Sequence, residues 1–307
     1  MNSKSTGIGR RIIEFIFYGN YFYGVCAVAL AIEASLQQKA PINSFSFYLI
    51  LFIITVLYYT HPYVRKGTGK SKNLRTNWYT RYYSLVFATQ VVFTIILLLS
   101  LVLFVRNHSE SIIHITTDKW MLILLFPIVA ALYYGLNFLS RQYNLRRIGW
   151  LKPFLIGFTW AGLVTIYPVL FQTIINSVPY EPTWLTLLLF LKNMMFISVL
   201  CIMFDIKDYA SDVTSPVKTF VVKMGLKKTI FYILVPLTVI GLGTFITYAL
   251  TQGFNAGKLF LNIIPFILLL LAAWSLRRPR SLLYYLVVID GLMLVKALCG
   301  TCAMLYF

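Results

Sequence analysis

Apolar runs of about 20 residues recur along the whole 307-residue chain, and their length constrains the fold more than any other feature. Each run is long enough to cross a hydrocarbon layer of about 30 Å. In that layer every backbone N–H and C=O must be paired within the protein, so the runs predict helices. Charged residues make up only 12% of the chain, against about 25% in soluble domains. The sequence therefore predicts an all-α integral membrane protein, folded as a single polytopic domain over residues 1–307.

The pattern predicts a bundle of nine transmembrane helices joined by short connectors. The first run is aromatic and lacks a small-residue cleavage site, so we interpret it as a helix and not as a signal peptide. The predicted spans are 12–35, 45–63, 83–105, 120–139, 154–176, 184–204, 228–250, 257–276 and 282–305.

Basic residues are distributed unevenly between the predicted connectors. If the N-terminus is inside, most of the 27 lysine and arginine residues lie in inside connectors, and four lie outside, namely Lys39, Arg106, Lys119 and Lys258. Positive charge concentrates on the cytoplasmic side of membrane proteins. We therefore expect a multi-pass protein with a cytoplasmic N-terminus and an external C-terminus, in a membrane such as the bacterial inner membrane.

The net charge of +18 does not indicate nucleic-acid binding, because the basic residues sit at the ends of apolar runs. That distribution indicates contact with anionic lipid head groups, so membrane lipids are expected partners. The cysteines, including the pair Cys299 and Cys302, lie in or beside apolar runs and are better interpreted as small packing residues than as a metal or redox site.

Three aspartates close the sixth predicted span in the segment DIKDYASD, which contains Asp205, Asp208 and Asp212. Spacings of three, four and seven would place them on one helical face. Mg²⁺ would relieve their repulsion, because it takes oxygen ligands from carboxylates and substrate phosphates. Lys218 follows closely and could contact phosphate. A solvated acidic helix end explains the same spacing equally well.

Asn20, Lys192, Asp290 and Lys296 lie well inside predicted spans, where an ionisable group defaults to a functional hypothesis. Asn20 and Asp290 share one depth, and we expect both to face the bundle interior, with a polar pair that holds helices together as the favoured interpretation. Lys192 and Lys296 share another depth, and we expect partial relief by snorkelling toward the outer surface. Glu33 is expected to be solvated at a helix end, as are Glu14, Glu110, Asp118 and Glu181.

The stretch FDIKDYASD at 204–212, followed by Lys218, Thr219 and Gly225, resembles the second aspartate-rich motif of the UbiA-type intramembrane prenyltransferases. The segments YYG at 133–135 and LRRIGWLKP at 145–153, with Trp160 and Ala161, are similar to that family's connector between its fourth and fifth helices. Asn20 and the pair Asp290 and Gly291 resemble a divergent branch. The resemblance covers essentially the whole chain.

The resemblance implies nine helices and a cytoplasm-facing cavity in which a polyprenyl group passes from a diphosphate to an acceptor with Mg²⁺. It assigns Asp205, Asp208 and Asp212 as catalytic and Mg²⁺-binding residues. Arg146, Arg147, Lys152 and Lys218 would contact the prenyl diphosphate, and Asn20, His61 and Asp290 are further candidates for substrate binding.

The family's first motif, N-D-x-x-D-x-x-x-D at the cytoplasmic end of helix two, is missing. The corresponding place reads YYTHPYVRK at 58–66, and no carboxylate lies between Glu33 and Glu110. The two-motif Mg²⁺ clamp therefore cannot be built, which removes electrostatic stabilisation of the departing diphosphate. His61 could bind phosphate or transfer a proton, but an interfacial histidine in a tyrosine-rich belt is the more common case.

The sequence thus favours an enzyme that transfers a prenyl group to a lipophilic acceptor. The first alternative is an inactive family member that binds an isoprenoid or another lipid, or serves as a scaffold. A transporter is the second alternative, although we see no inverted repeat and no paired broken helices.

Overall fold

The computed structural model describes residues 7–65, 74–134, 148–176, 183–214 and 218–307, and every regular element in these ranges is helical. The α-helices are α1 (Ile8–Tyr18), α2 (Tyr21–Gln37), α3 (Phe45–Arg65), α4 (Leu74–Arg81), α5 (Tyr83–Asn107), α6 (Ser109–Ile113), α7 (Thr117–Tyr134), α8 (Lys152–Ala161), α9 (Tyr167–Asn176), α10 (Trp184–Lys207), α11 (Tyr209–Val213), α12 (Phe220–Met224), α13 (Leu226–Thr229), α14 (Val235–Thr251), α15 (Ala256–Ser275), α16 (Leu282–Tyr284) and α17 (Gly291–Tyr306). Three π-helical turns, Gly162–Ile166, Ile230–Leu234 and Tyr285–Ile289, join consecutive helices.

Seven helical stretches among the described residues are long and apolar enough to cross a membrane, or eight if one bent pair counts as a span. The seven are Phe45–Val64, Tyr83–Asn107, Lys152–Asn176, Trp184–Lys207, Leu226–Thr251, Ala256–Ser275 and Leu282–Tyr306. The chain is therefore an integral multi-pass membrane protein with an all-helical fold. The predicted total of nine stays a prediction, since the fourth predicted span runs beyond α7 into residues outside the described ranges.

The predicted first span, 12–35, is not one straight helix. α1 and α2 meet at Gly19 and Asn20 with a bend of 63°. Asn20 has a φ of 65°, in the left-handed region that asparagine tolerates better than most residues. A Cβ on Gly19 would lie 2.6 Å from the carbonyl oxygen of Phe15. The Gly-Asn pair therefore makes possible a turn that apolar run length does not reveal.

The chain forms two compact units, and the expectation of a single domain stays a prediction. The first unit contains residues 1–28 and 43–113. Its span α5 has only 6% of its most apolar window buried, so nearly all of this helix faces outward. Gly24 lets α2 approach α3, where a Cβ would lie 2.5 Å from the ring of Phe52.

The second unit contains residues 29–42 and 114–307, and α10 is its central helix, with 67% of its most apolar window buried. Thr183 caps the start of α10 by accepting a hydrogen bond from the backbone N–H of Thr186 at 3.3 Å. α8 packs closely against α10, because a Cβ on Gly157 would lie 2.6 Å from the carbonyl oxygen of Met194. Close approach at small residues is how helices pack in membranes.

Candidate functional site

The carboxylate of Asp205 is fully buried at the C-terminal end of α10. Its Oδ1 accepts a hydrogen bond from Nζ of Lys152, the first residue of α8, at 2.8 Å. Its Oδ2 is also buried and has no hydrogen-bond partner in the described part of the chain. A buried, unpartnered carboxylate oxygen costs free energy, so this oxygen is suited to a further ligand.

Asp208 and Asp212 continue the chain beyond α10, but the three aspartates do not share one continuous helix. α10 ends at Lys207, and Asp208 is the residue between α10 and the short helix α11, which carries Asp212. Asp208 Oδ1 lies 3.2 Å from Nζ of Lys207. Across the described residues, no three carboxylate, histidine or cysteine side chains converge on a metal position. The predicted Mg²⁺ site stays a prediction.

Asp212 is half-buried, and its electrostatic surroundings show that it belongs to the same group of charges. Partial burial raises the pKa of its carboxyl above the ordinary value. The Lys152 ammonium opposes this rise in pKa, whereas the Asp208 carboxylate adds to it. Lys152 therefore interacts with two of the three aspartates.

The segment around Lys218 lies against the connector that leads into α8. A Cβ on Gly149 would lie 2.6 Å from the carbonyl carbon and oxygen of Lys218 and 2.9 Å from the backbone nitrogen of Thr219. Only glycine fits such an approach without displacing backbone. Thr219 is 1% exposed, and its Oγ1 is a second buried polar atom without a hydrogen-bond partner in the described residues. Lys218 itself is exposed, and its Nζ donates to the carbonyl oxygen of Val213 at 3.4 Å.

Asp290 is 4% exposed, at the junction between the π-helical turn Tyr285–Ile289 and α17, so the prediction that it faces the interior is confirmed. The thiol of Cys201 lies within electrostatic range of Asp290, Asp205 and Lys152. Two buried carboxylates and the partly exposed Lys152 ammonium therefore lie within electrostatic range of one thiol in the second unit. π-helical turns are common at functional sites.

Asn20 is fully buried as predicted, in a hydrogen-bond network within the first unit. Its side-chain nitrogen donates to Thr60 Oγ1 at 3.1 Å and to Tyr79 Oη at 3.0 Å, and its side-chain oxygen accepts from Arg75. Arg75 also donates to the carbonyl oxygen of Tyr18 at 3.1 Å and lies 4.8 Å from the centre of the Tyr63 ring.

Burial raises the pKa of Tyr79 to about 12, with the Arg75 guanidinium opposing the rise, so the phenol stays protonated. It can then donate to the carbonyl oxygen of Tyr18, 2.7 Å away. Thr60 and Tyr63 belong to the stretch that replaces the first aspartate-rich motif. That stretch therefore takes part in a neutral and cationic network that holds the bend between α1 and α2.

Three other predicted substrate-binding residues, His61, Arg146 and Arg147, are not seen in the candidate site. His61 is exposed on α3. Arg146 and Arg147 lie outside the described residues.

The prediction that Glu33 is solvated at a helix end is wrong. Glu33 is 1% exposed and lies between Lys192 and Lys296, which are 1% and 3% exposed. Lys192 Nζ donates to Glu33 Oε1 at 3.1 Å, and Lys296 Nζ donates to Glu33 Oε2 at 2.6 Å. The two lysines are therefore paired with a carboxylate and do not snorkel. Their shared depth could have revealed the cluster, because two buried ammonium groups require a carboxylate nearby.

Polar side chains complete this Glu33 cluster. Gln37 accepts from Lys192 Nζ at 2.7 Å and donates to Glu33 Oε1 at 3.1 Å. Gln37 also donates to Asn262 Oδ1 at 3.0 Å. Gly300 makes room for the carboxylate, since a Cβ there would lie 2.6 Å from Glu33 Oε1. All polar atoms of the cluster side chains have partners, so its arrangement is that of a structural core.

The buried carboxylates of Asp205 and Glu33 thus differ in their capacity to bind a ligand. Asp205 has one buried oxygen without a partner in the described residues, and the ammonium groups of Lys152 and Lys218 could bind an anion. The Glu33 cluster is closed. The Asp205 group, formed by Asp205, Asp208, Asp212, Lys152 and Lys218, is the candidate functional site.

No family model matches the sequence, and no curated protein matches it. The structure is similar to a solved structure of digeranylgeranylglyceryl phosphate synthase, a membrane enzyme. The TM-score is 0.56 at 14% sequence identity, and the match covers 97% of this chain and 99% of the other. Because that synthase is a UbiA-type prenyltransferase, the predicted resemblance is confirmed at the level of the fold.

Proposed function

We propose that this chain, which has the fold of a UbiA-type prenyltransferase, transfers a prenyl group from a prenyl diphosphate to a lipophilic acceptor within the membrane. The observation that carries the proposal is the ion pair between the buried Asp205 and the partly exposed Lys152, in which the second carboxylate oxygen has no partner among the described residues. Asp205 belongs to the segment 204–212, which resembles the second aspartate-rich motif of the family. A fold supports many functions, so the proposal rests on this site.

The basic side chains of the site would bind the diphosphate. Lys152 is positioned by Asp205, and the close contact at Gly149 keeps Lys218 and Thr219 beside the connector that ends at Lys152. Arg146 and Arg147 precede that connector in sequence and would add bidentate contacts to phosphate oxygens. Asp290 is a further candidate for substrate binding, because it is buried and lies within electrostatic range of Cys201, as Asp205 and Lys152 do.

The donor atoms of the site fit Mg²⁺, which takes carboxylate oxygens together with substrate phosphates. Asp205, Asp208 and Asp212 would hold it once they close around the cation, since the described carboxylates do not converge on a metal position in this structure. The unpartnered Oδ2 of Asp205 is the buried oxygen that supports this ligand set. When bound, the cation would neutralise charge on the departing diphosphate. With the first motif absent, a single aspartate-rich segment would have to supply all protein carboxylates.

In the proposed reaction, the bond between the allylic carbon and the diphosphate oxygen breaks, and the diphosphate leaves with both electrons. The nucleophilic atom of the acceptor bonds to the allylic carbon, and its proton passes to the released diphosphate. Ring faces would stabilise the cationic carbon. Phe204 and Tyr285, with ring centroids 5.6 Å apart, lie at the end of α10 and on the adjacent π-helical turn.

The second candidate is an inactive member of the fold that binds an isoprenoid lipid or acts as a scaffold. The network at Thr60, Asn20 and Arg75 favours it, because the place of the first motif serves the bend between α1 and α2. For either function we propose the orientation that the basic residues indicate, with a cytoplasmic N-terminus and an external C-terminus, as in a bacterial inner membrane.

The deciding experiment is calorimetry of prenyl diphosphate binding to detergent-purified protein, with and without Mg²⁺, together with a product assay. Asp208→Asn is the test variant, and Asp118→Asn, an exposed aspartate in the first turn of α7, is the matched control. We expect Mg²⁺-dependent binding in the parent and in Asp118→Asn, and its loss in Asp208→Asn.

Each outcome separates the candidates. Binding with turnover supports the transferase. Binding without turnover for any acceptor supports the lipid-binding protein. No binding of prenyl diphosphate of any chain length would overturn the transferase and favour a protein that keeps the fold and binds another lipid or serves as a scaffold.

A further inference from the structure

α1 differs from the other long helices because its two faces have opposite character. On a helix with 3.6 residues per turn, Arg10, Arg11 and Glu14 fall in one sector. The wide remainder is apolar and consists of Ile8, Ile12, Ile13, Phe15, Ile16 and Phe17, of which all but Phe17 are exposed. The two arginines lie at the borders between the sectors. A strong separation of apolar and basic faces is typical of helices that lie in the plane of a membrane surface.

The bend supports the same placement. α1 makes an angle of 63° with α2, whose sequence is long and apolar. The carbonyl oxygen of Tyr18, at the end of α1, accepts hydrogen bonds from Arg75 at 3.1 Å and from Tyr79 at 2.7 Å. α4 therefore holds α1 at its angle through buried contacts.

A cavity of about 270 Å³ lies between α1 and α4. Ile8, Ile12 and Phe15 form its apolar wall on α1, and Trp78 and Tyr82 line it from α4 and the residue that follows. The rings of Phe15 and Trp78 are 6.0 Å apart, and those of Trp78 and Tyr82 are 5.2 Å apart. An apolar chain fits such walls.

The polar end of the cavity favours a negative charge. Arg11 and Glu14 line it, and Arg10 pairs with Glu14 at 3.0 Å, which offsets the charge of that carboxylate. Arg81 lies 5.5 Å from the centre of the Tyr82 ring and adds a cation nearby. A ligand with one anionic group and one apolar chain fits this cavity, because the anionic group would lie at the basic end and the chain along the apolar wall.

We propose that α1 lies in the membrane interface and that the cavity between α1 and α4 binds one anionic phospholipid, with the phosphate at Arg11 and an acyl chain along Ile8, Ile12 and Phe15. This site lies wholly within the first unit, and its ligand is distinct from a prenyl diphosphate. It does not depend on the proposed transferase activity.

The test is native mass spectrometry of the full-length protein, titrated with phosphatidylglycerol or phosphatidylcholine. Arg11→Gln removes the phosphate contact. Ile12→Trp fills the cavity and keeps the charge, so it tests the site independently if Arg11→Gln folds poorly. Arg106→Gln, an exposed arginine in the last turn of α5, is the matched control.

We expect the parent and Arg106→Gln to retain one phosphatidylglycerol more tightly than phosphatidylcholine. Arg11→Gln should bind it about fivefold more weakly, which corresponds to about 1 kcal/mol for one basic residue at a membrane surface. Ile12→Trp should lose the tightly bound lipid. Equal retention of the two lipids by the parent, or equal losses in Arg11→Gln and Arg106→Gln, would overturn the proposal. So would a dimer in the parent that Ile12→Trp converts to monomer, because a second copy would then occupy the surface.

Discussion

α10 carries two buried ionic groups, one on each half of the helix. Lys192 belongs to the Glu33 cluster, in which three charged side chains and Gln37 satisfy one another. Asp205, thirteen residues further along the helix, has one ammonium partner and one buried oxygen without a partner in the described residues. A closed network stabilises a fold, whereas an incomplete one costs stability and is suited to binding. Burial of charge alone therefore does not identify a functional site.

The largest expected effect is on stability, at the Glu33 cluster. Glu33→Gln would leave two buried ammonium groups without a carboxylate, and we expect it to lower the free energy of unfolding by about 3–5 kcal/mol. Thermal unfolding in detergent measures the change. Glu110→Gln, at an exposed carboxylate on α6, should leave the midpoint unchanged. An unchanged midpoint in Glu33→Gln would mean that the cluster does not contribute to stability.

The second largest expected effect is on activity, at Asp205 near the C-terminal end of α10. Asp205→Asn keeps an acceptor for Lys152 but removes the charge, so we expect a loss of prenyl transfer of about 100-fold, the scale of one electrostatic contact in a transition state. Its unfolding midpoint should stay near that of the parent, because Lys152 is partly exposed and can turn toward solvent. A variant that loses stability and keeps activity would reverse the contrast between the two regions.

A smaller effect is expected where the connector before α8 meets Lys218. Gly149→Ala would place a Cβ 2.6 Å from backbone atoms of Lys218, so the two segments must separate. Overpacking costs about 1–3 kcal/mol, and we expect diphosphate affinity to fall by about fivefold. Gly243→Ala is the control, because a Cβ there meets nothing within 4 Å. Equal affinities in the two variants would show that the contact does not position the site.

The smallest effect is a shift in pH dependence at Asp212. Because burial raises its pKa above the ordinary 3.8, a proton competes with Mg²⁺ at a higher pH than for an exposed aspartate. Mg²⁺-dependent binding should therefore weaken as the pH falls toward the raised pKa of Asp212. Stability shows the opposite sign, since a raised carboxyl pKa favours the folded state below the unfolded pKa and loses that contribution as pH rises through the folded pKa.

Calorimetry at pH 7.5, 6.5 and 5.5 measures the binding curve. In Asp212→Asn, the decrease in Mg²⁺-dependent binding that comes from protonation of this carboxyl should be absent. A parent curve that coincides with the curve of Asp212→Asn would show that Asp212 does not hold the cation.

The sequence predicted helices well and their breaks poorly. Runs such as 83–105 and 184–204 correspond closely to α5 and α10, because run length and the need for internal backbone pairing leave few alternatives. The run at 12–35 was predicted as one span, yet it bends at Gly19 and Asn20. Its apolar residues continue through the bend, so only the left-handed backbone of Asn20 and its bonds to Thr60 and Tyr79 reveal the turn.

The sequence by itself determined that this protein is a multi-pass helical membrane protein, because apolar length and sparse charge are local properties of the chain. The tertiary structure alone decided which charges meet. Lys296 and Glu33 are 263 residues apart in sequence, and Lys152 and Asp205 are 53 apart, so no local spacing could pair them. Packing against α10 makes one group a closed network and leaves the other incomplete, because a buried polar atom can only use the partners that neighbouring helices bring within hydrogen-bond reach.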